Sequence, residues 1–261
     1  MDSKLKQVWE KDEYYELAKK GSLDINHPAM KLLKKLAKPN IKILDLGCGE
    51  GTRLNYLCKN PGNCVGIDIS SKAIGLAKKS YPDISFLNAN LEKLLLKNET
   101  FDLVYSAFVL EHLENPERVI KEAVRVLKRG GHLVLVAPNY GSPNRASPPY
   151  RGSRIGKLVL GFFKDLAKPI SGAENLSWER VAPLADKTKY EIDWDTTDEP
   201  YLRTLVSYVK SLGLKIETSS SGWSEEEKGA KIHQKIFRFL GEAGVYPFNY
   251  WGPHLLLSAS K

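Results

Sequence analysis

Ile43-Leu44-Asp45-Leu46-Gly47-Cys48-Gly49-Glu50-Gly51 decides how this chain folds. An apolar strand carrying an acid near its end runs into a loop with glycine at alternate positions. Glycine tolerates positive φ and has no Cβ, so such a loop turns sharply and lets a ligand lie against backbone N–H groups and the N-terminus of the next helix.

A second acid, Asp68, closes the next apolar run, Val65-Gly66-Ile67-Asp68-Ile69-Ser70. Its separation from the glycine loop suits bidentate hydrogen bonding to ribose hydroxyls. The glycines do not follow the dinucleotide spacing G-x-G-x-x-G, because Thr52 stands at the third position. Asp45 would repel a pyrophosphate but suits the cationic amino group of an amino-acid moiety. A nucleoside joined to an amino acid fits both acids, and adenosylmethionine is such a molecule.

Outward from this stretch, short apolar strands alternate with amphipathic helices, the signature of stacked βαβ units on a parallel sheet. Strands are expected at 42–46, 64–69, 84–88, 101–106 and 132–137. Asn60-Pro61-Gly62 stops one helix, Ser70 or Ser71 caps the next, and Asn115-Pro116 supplies a cap with proline at the first helical position. The pair Gly130-Gly131 is expected to end the helix that carries Val119, Ala123, Val126 and Leu127.

The series Asp45 to Gly51, Asp68, Asn88-Ala89-Asn90-Leu91-Glu92, Phe101-Asp102-Leu103-Val104-Tyr105-Ser106, Glu111-His112-Leu113 and Leu127-Lys128-Arg129-Gly130-Gly131-His132-Leu133 resembles the class I S-adenosylmethionine-dependent methyltransferases. The nearest type is the small-molecule enzymes of ubiquinone and menaquinone biosynthesis. The resemblance implies a Rossmann-like, doubly wound α/β fold with seven strands in the order 3-2-1-4-5-7-6, the last antiparallel, and a capping insertion after strand 5. It also implies S-adenosyl-L-methionine as cofactor, with Gly47 and Gly49 under the methionine, Asp68 on ribose, Ile69 against adenine, and Asn90 with Leu91 at the adenine edge. Asn90 replaces the family's usual Asp, and an amide still both donates and accepts. Asp45 and Phe108 complete the expected cofactor set.

Phe108-Val109-Leu110-Glu111-His112 follows strand 4, where the transferable methyl should lie. His112 is the candidate general base and Glu111 a candidate substrate contact. Similar methyltransferases acting on polyprenyl phenols or RNA 3′ ends bind a divalent metal through Glu-x-x-Glu-His. Phe108 stands in the first Glu position here, so no metal is expected. Tyr140, Arg145 and Arg151 lie just after strand 5 and are candidate substrate contacts, against the plainer reading of a solvated basic loop. Trp9, Tyr14 and Tyr15 fit either an N-terminal lid or an aromatic helix face packed on the core.

The expected organisation is one methyltransferase domain over 1–261. It comprises an N-terminal helical cap (1–35), a cofactor-binding core (36–139), a substrate-cap insertion (140–200), and a C-terminal helix with the last two strands (201–261). The insertion should hold an amphipathic helix at 155–167 and an irregular acidic stretch at 186–200. Cys48, Cys58 and Cys64 lack the spacing of a zinc site or a disulfide framework, no signal-peptide or membrane-length apolar run is present, and a cytoplasmic protein is expected. The net charge of +8 is dispersed among acids, which disfavours a nucleic-acid partner without excluding one. RNA or protein methylation, nicotinamide-dependent oxidoreduction and a non-catalytic binding module remain alternatives. The acceptor and the oligomeric state are left open.

Overall fold

The structure is a computed structural model that describes residues 9–11, 14–15, 24–167, 175–184, 191–222 and 231–261. Seven strands form one sheet in the order β3-β2-β1-β4-β5-β9-β8. These are β1 (Ile43–Leu46), β2 (Cys64–Asp68), β3 (Ser85–Asn88), β4 (Phe101–Ala107), β5 (Leu127–Pro138), β8 (Lys215–Ser220) and β9 (His254–Ser260). The first five run parallel, and β9 is antiparallel to both of its neighbours. This is the expected order, with β9 inserted between β5 and β8.

Central strands covered on both faces are near-continuous apolar runs. Alternate residues of β4 accordingly join different cores. Leu103 and Tyr105 pack with α1 (Pro28–Leu36), α2 (Thr52–Leu57) and α3 (Ser71–Ser80) through Leu33, Leu54 and Ile74. Val104 packs with α4 (Pro116–Val126) and α6 (Leu202–Ser211) through Ile120, Val126 and Leu205. Fully burying each such side chain stabilises the fold by about 1.5–3 kcal/mol.

The helix starts follow their sequence signals. Ser70 Oγ accepts from Ala73 N at 3.1 Å, and Asn115 Oδ1 accepts from Arg118 N at 3.1 Å with Pro116 at the first turn. The stop of α4 differs from expectation. The helix ends at Val126, and the glycine pair lies inside β5, where pairing jumps from Phe101↔Leu127 to Leu103↔His132. Gly130 takes φ +75° in this bulge, so the glycines shape a strand irregularity instead of a helix cap.

After β5 the chain forms α5 (Arg154–Ala167) and the short ribbon of β6 (Glu179–Arg180) with β7 (Asp198–Glu199). The expected helix at 155–167 is present. Of the stretch expected to be irregular, residues 191–197 are turns and coil and only Asp198–Glu199 pair as β7; its residues 186–190 lie outside the described residues. One buried amide ties the region to the sheet. Asn139 Nδ2 donates to Tyr250 O and Gly252 O at 2.6 and 2.8 Å, while its Oδ1 accepts from Leu202 N at 3.0 Å and so caps α6 from a distance. The helix α7 (Ile232–Glu242) had no counterpart in the sequence reading.

Cys58 and Cys64 are joined as a disulfide, against expectation. The 3-10 turn Pro61–Asn63 folds the chain back between them, which their spacing alone did not reveal. Among the described residues, no helix is long and apolar enough to cross a membrane.

Candidate cofactor and acceptor site

The glycine loop is pinned to β2 by two backbone bonds, Gly47 N and Cys48 N to Ile67 O at 2.8 and 3.0 Å. Gly47 sits at φ +80°, and a Cβ there would stand 2.3 Å from Val109 Cγ2. Gly49, at φ +53°, differs, because a Cβ there would meet nothing within 4 Å. Its backbone faces open space, as a loop that cradles a ligand requires.

Asp68 is held at this loop by two amides. Gly49 N donates to Oδ2 and Ser70 N to Oδ1, each at 2.9 Å. Burial pushes the Asp68 carboxyl up, and these two amide bonds oppose the shift. A carboxylate has about four lone-pair sites. Two amides therefore leave acceptor capacity for the hydroxyls of a ribose.

Loop and acid open onto one cavity of about 640 Å³. Gly47, Gly49, Asp68, Ile69, Asn90, Leu91 and Phe108 line it, and so do Glu111 and His112 at its other end. The Phe108 backbone is left-handed, with φ +61°, which turns the chain at the end of β4 and sends its ring towards His27 and His254 at centroid distances of 5.8 and 5.4 Å.

Asp45 is absent from the wall. It is fully buried behind the loop, its Oδ2 accepts from Tyr105 Oη at 2.7 Å, and its Oδ1 has no hydrogen-bond partner. Burial raises its carboxyl to about 7 even though Arg53 pulls the other way. The wall carries Glu50 and Arg53 instead, a carboxylate and a guanidinium beside the glycine loop. Glu50 lies within the glycine motif and Arg53 two residues beyond it, and that adjacency was the available signal.

The far end of the cavity is a polar cluster built from distant segments. Glu111 is 1% exposed, and neither carboxylate oxygen has a hydrogen-bond partner. Its Oε1 lies 3.7 Å from His112 Nε2, and His112 Nδ1 faces the Asp195 backbone and carboxylate oxygens at 3.3 and 3.6 Å. Trp9 Nε1 donates to Asp195 Oδ2 at 2.8 Å, and Tyr140 Oη donates to Asp193 Oδ2. Burial raises Glu111 to about 8, against the pull of His112. Burial alone would lower His112, but Asp195, Glu111 and Asp193 outweigh it and raise the imidazole.

The N-terminal aromatics also reach this space. Trp9, Tyr14 and Tyr15 line the cavity, with Tyr15 Oη and Ser70 Oγ both donating to Trp9 O at 2.8 Å. A second histidine pair completes the wall. His27 Nδ1 accepts from Ala29 N at 3.2 Å, so Nε2 carries the proton and donates to His254 Nδ1 at 3.2 Å. Burial, then Arg145, lowers His254 to about 4, which keeps that ring neutral at ordinary pH.

Three substrate candidates do not reach the wall. Arg151 is exposed and donates to the Pro148 and Tyr150 carbonyl oxygens, so it turns back onto its own loop. Tyr140 acts at one remove through Asp193, and Arg145 through its field on His254. Asp193, Asp195, His27 and His254 were missed by sequence reasoning, since no local motif marks any of them.

A doubly wound sheet in this strand order, with a glycine loop after β1 and an acid at the end of β2, has the class I methyltransferase architecture. Residues 44–135 match the family described as a methyltransferase domain. Those residues therefore carry the sequence signature of a methyltransferase domain, and the fold is the one that S-adenosylmethionine-dependent methyltransferases share. It is 33% identical over 132 residues to a demethylmenaquinone methyltransferase of Chlorobaculum tepidum, covering 50% of this chain and 51% of that protein. It is 26% identical over 180 residues to a ubiquinone biosynthesis O-methyltransferase of Dechloromonas aromatica, covering 63% and 78%. Thus the chain spans about half the length of the demethylmenaquinone methyltransferases it matches. A crystal structure of an S-adenosylmethionine-dependent methyltransferase from Mesorhizobium loti shares the fold at TM-score 0.52 and 21% identity, over 91% of this chain and 100% of that one. One from Methanosarcina mazei does so at 0.53 and 22%, over 88% and 96%.

Proposed function

We propose that this protein transfers a methyl group from S-adenosylmethionine to an oxygen, nitrogen or carbon of a small molecule. One observation carries the reading: the open face of Gly49 and the acid Asp68 share a single cavity with the Glu111–His112 pair. The bound cofactor supplies an electrophilic methyl on a sulfonium. The protein's own contribution is alignment, worth roughly 7–11 kcal/mol in favourable systems.

In this reading Asp68 takes the ribose hydroxyls, Ile69 packs against the base, and Asn90 with Leu91 meets its edge. Glu50 and Arg53 hold the ammonium and carboxylate ends of the methionine moiety, the task that Asp45 is too buried to perform directly. His112 takes the acceptor's proton, with Asp195 fixing its ring, and a base of this kind adds about 10²–10⁴-fold. Trp9 and Tyr14 from the segment before β1, and Asp193 from the region after β5, close the cavity and select the acceptor. The quinone-pathway names of the two relatives and the aromatic lining favour an apolar or lipid-linked acceptor in the cytoplasm; a sugar acceptor is the other candidate.

Calorimetric titration with adenosylmethionine and adenosylhomocysteine tests this directly. Wild-type protein should bind both, and Asp68→Ala should weaken binding by about 10–100-fold, the value of one or two hydrogen bonds to a charged group. Well-folded protein that binds neither would overturn the assignment.

A further inference from the structure

Glu111, His112 and Asp193 each offer one ligand atom, and the three atoms lie within 4.8 Å of one another. We propose that they form a divalent-cation site at the acceptor end of the cavity, with Asp193 supplying the ligand that Phe108 withholds. Glu111 and His112 come from the turn after β4, and Asp193 from the region inserted after β5.

Proximity of acids alone would prove little. The observation that points to a ligand is Glu111, a carboxylate at 1% exposure with both oxygens buried and neither hydrogen-bonded, on the cavity wall. Burying a carboxylate without hydrogen bonds or a counter-ion is costly, and buried charges are ordinarily paired or coordinate metals. The nearest cationic partner, His112 Nε2 at 3.7 Å, is beyond hydrogen-bonding distance.

The surroundings are arranged as around a metal. A ligating histidine normally directs its other ring nitrogen to a carboxylate or a backbone carbonyl, which fixes the tautomer. His112 Nδ1 faces both on Asp195, leaving Nε2 towards Glu111. Asp195 is in turn held by Trp9 Nε1, and Asp193 by Tyr140 Oη. Ligand atoms about 2.1 Å from one cation sit about 3 Å apart, so the three side chains need to close by up to roughly two ångströms.

Two carboxylates and one imidazole suit a hard to borderline ion, for which Mn²⁺ is the natural probe. Three protein ligands leave coordination positions open towards the cavity, where they take an oxygen of the acceptor. In the metal-loaded protein His112 is then a ligand, and coordination to the cation acidifies the acceptor hydroxyl, whose proton leaves to solvent water as the methyl is transferred to its oxygen.

The test is Mn²⁺ titration of the full chain, followed by electron paramagnetic resonance of the free ion, with no methyl transfer required. One Mn²⁺ per chain is expected. Glu111→Gln and Asp193→Asn should each weaken it by about 100-fold, and Tyr140→Phe by about 10-fold, the range seen when ligands or their outer partners are lost. Adenosylhomocysteine affinity, measured in parallel, reports that each variant is folded. Should Glu111→Gln fail that control, Asp193→Asn and Tyr140→Phe carry the test. Folded wild-type protein that takes up no Mn²⁺ at millimolar concentration would overturn the site, as would Mn²⁺ affinity unchanged by Asp193→Asn and Tyr140→Phe.

Discussion

At the glycine loop, the cavity wall comes from residues 47–53 and 68–69, and its fixed polar groups include the amides that hold Asp68. At the opposite end, Glu111 and His112 meet Trp9, Asp193 and Asp195, and the neighbouring histidine pair spans 227 positions. One end is specified by backbone geometry within a short stretch. The other is specified by side chains that only the completed fold brings together. The difference teaches where each end is fragile: the first to a single Cβ, the second to the loss of a carboxylate or a change of pH.

The largest effect should come from glycine substitution, and it should differ sharply between two positions in the same loop. Gly47→Ala combines a left-handed backbone, costing about 1–2 kcal/mol, with a Cβ driven into Val109, costing a further 1–3 kcal/mol. Gly49→Ala meets open space and should lose only the backbone part, about 1–2 kcal/mol. Urea unfolding measures both. Equal losses would show that crowding by Val109 does not distinguish the two glycines.

Next in size is the split between donor and acceptor. Asp195→Asn keeps the packing of the cluster but removes the charge facing His112 Nδ1. Turnover should fall by about 10-fold or more as the base loses its orienting partner, while adenosylhomocysteine affinity changes far less than in Asp68→Ala. A comparable loss of cofactor affinity would mean that the two ends are not separable.

That division also explains what the chain disclosed before folding. The parallel sheet was legible because each strand is a local apolar run and each helix start carries its own cap, as at Ser70 and Asn115. The glycine loop and Asp68 were legible because Gly49 N reaches that carboxylate across only 19 residues. Asp193 was not, since an isolated acid in a polar stretch has no signature until Tyr140 and Glu111 surround it. His254 lies in the segment expected to hold the last two strands, and nothing local showed that His27 would meet it. Asp45 misled, because a strand-end acid looks identical whether it faces the ligand or lies one layer behind it. The cysteines misled for a related reason, as a tight turn rather than a spacing rule brings Cys58 to Cys64.

A further contrast lies in how the stability contributions of two buried groups respond to pH. Asp45, behind the glycine loop, is raised to about 7 from 3.8. Between these values the folded protein keeps a proton that the unfolded chain has lost, so this group's contribution to stability falls as pH rises through the window. His254, packed against Phe108 on the cavity wall, is lowered to about 4 from 6.5. Here the unfolded chain holds the extra proton, so its contribution rises with pH over that window. From pH 4 to 6.5 the two slopes are opposite, each at most about 1.4 kcal/mol per pH unit. Stability measured by urea unfolding from pH 4.5 to 8 should therefore steepen upward with pH in Asp45→Asn and tilt downward in His254→Asn. A shift of the same sign in both variants would show that one of these groups is not held in its unusual state by the fold, and the contrast between the two groups would fail at that residue.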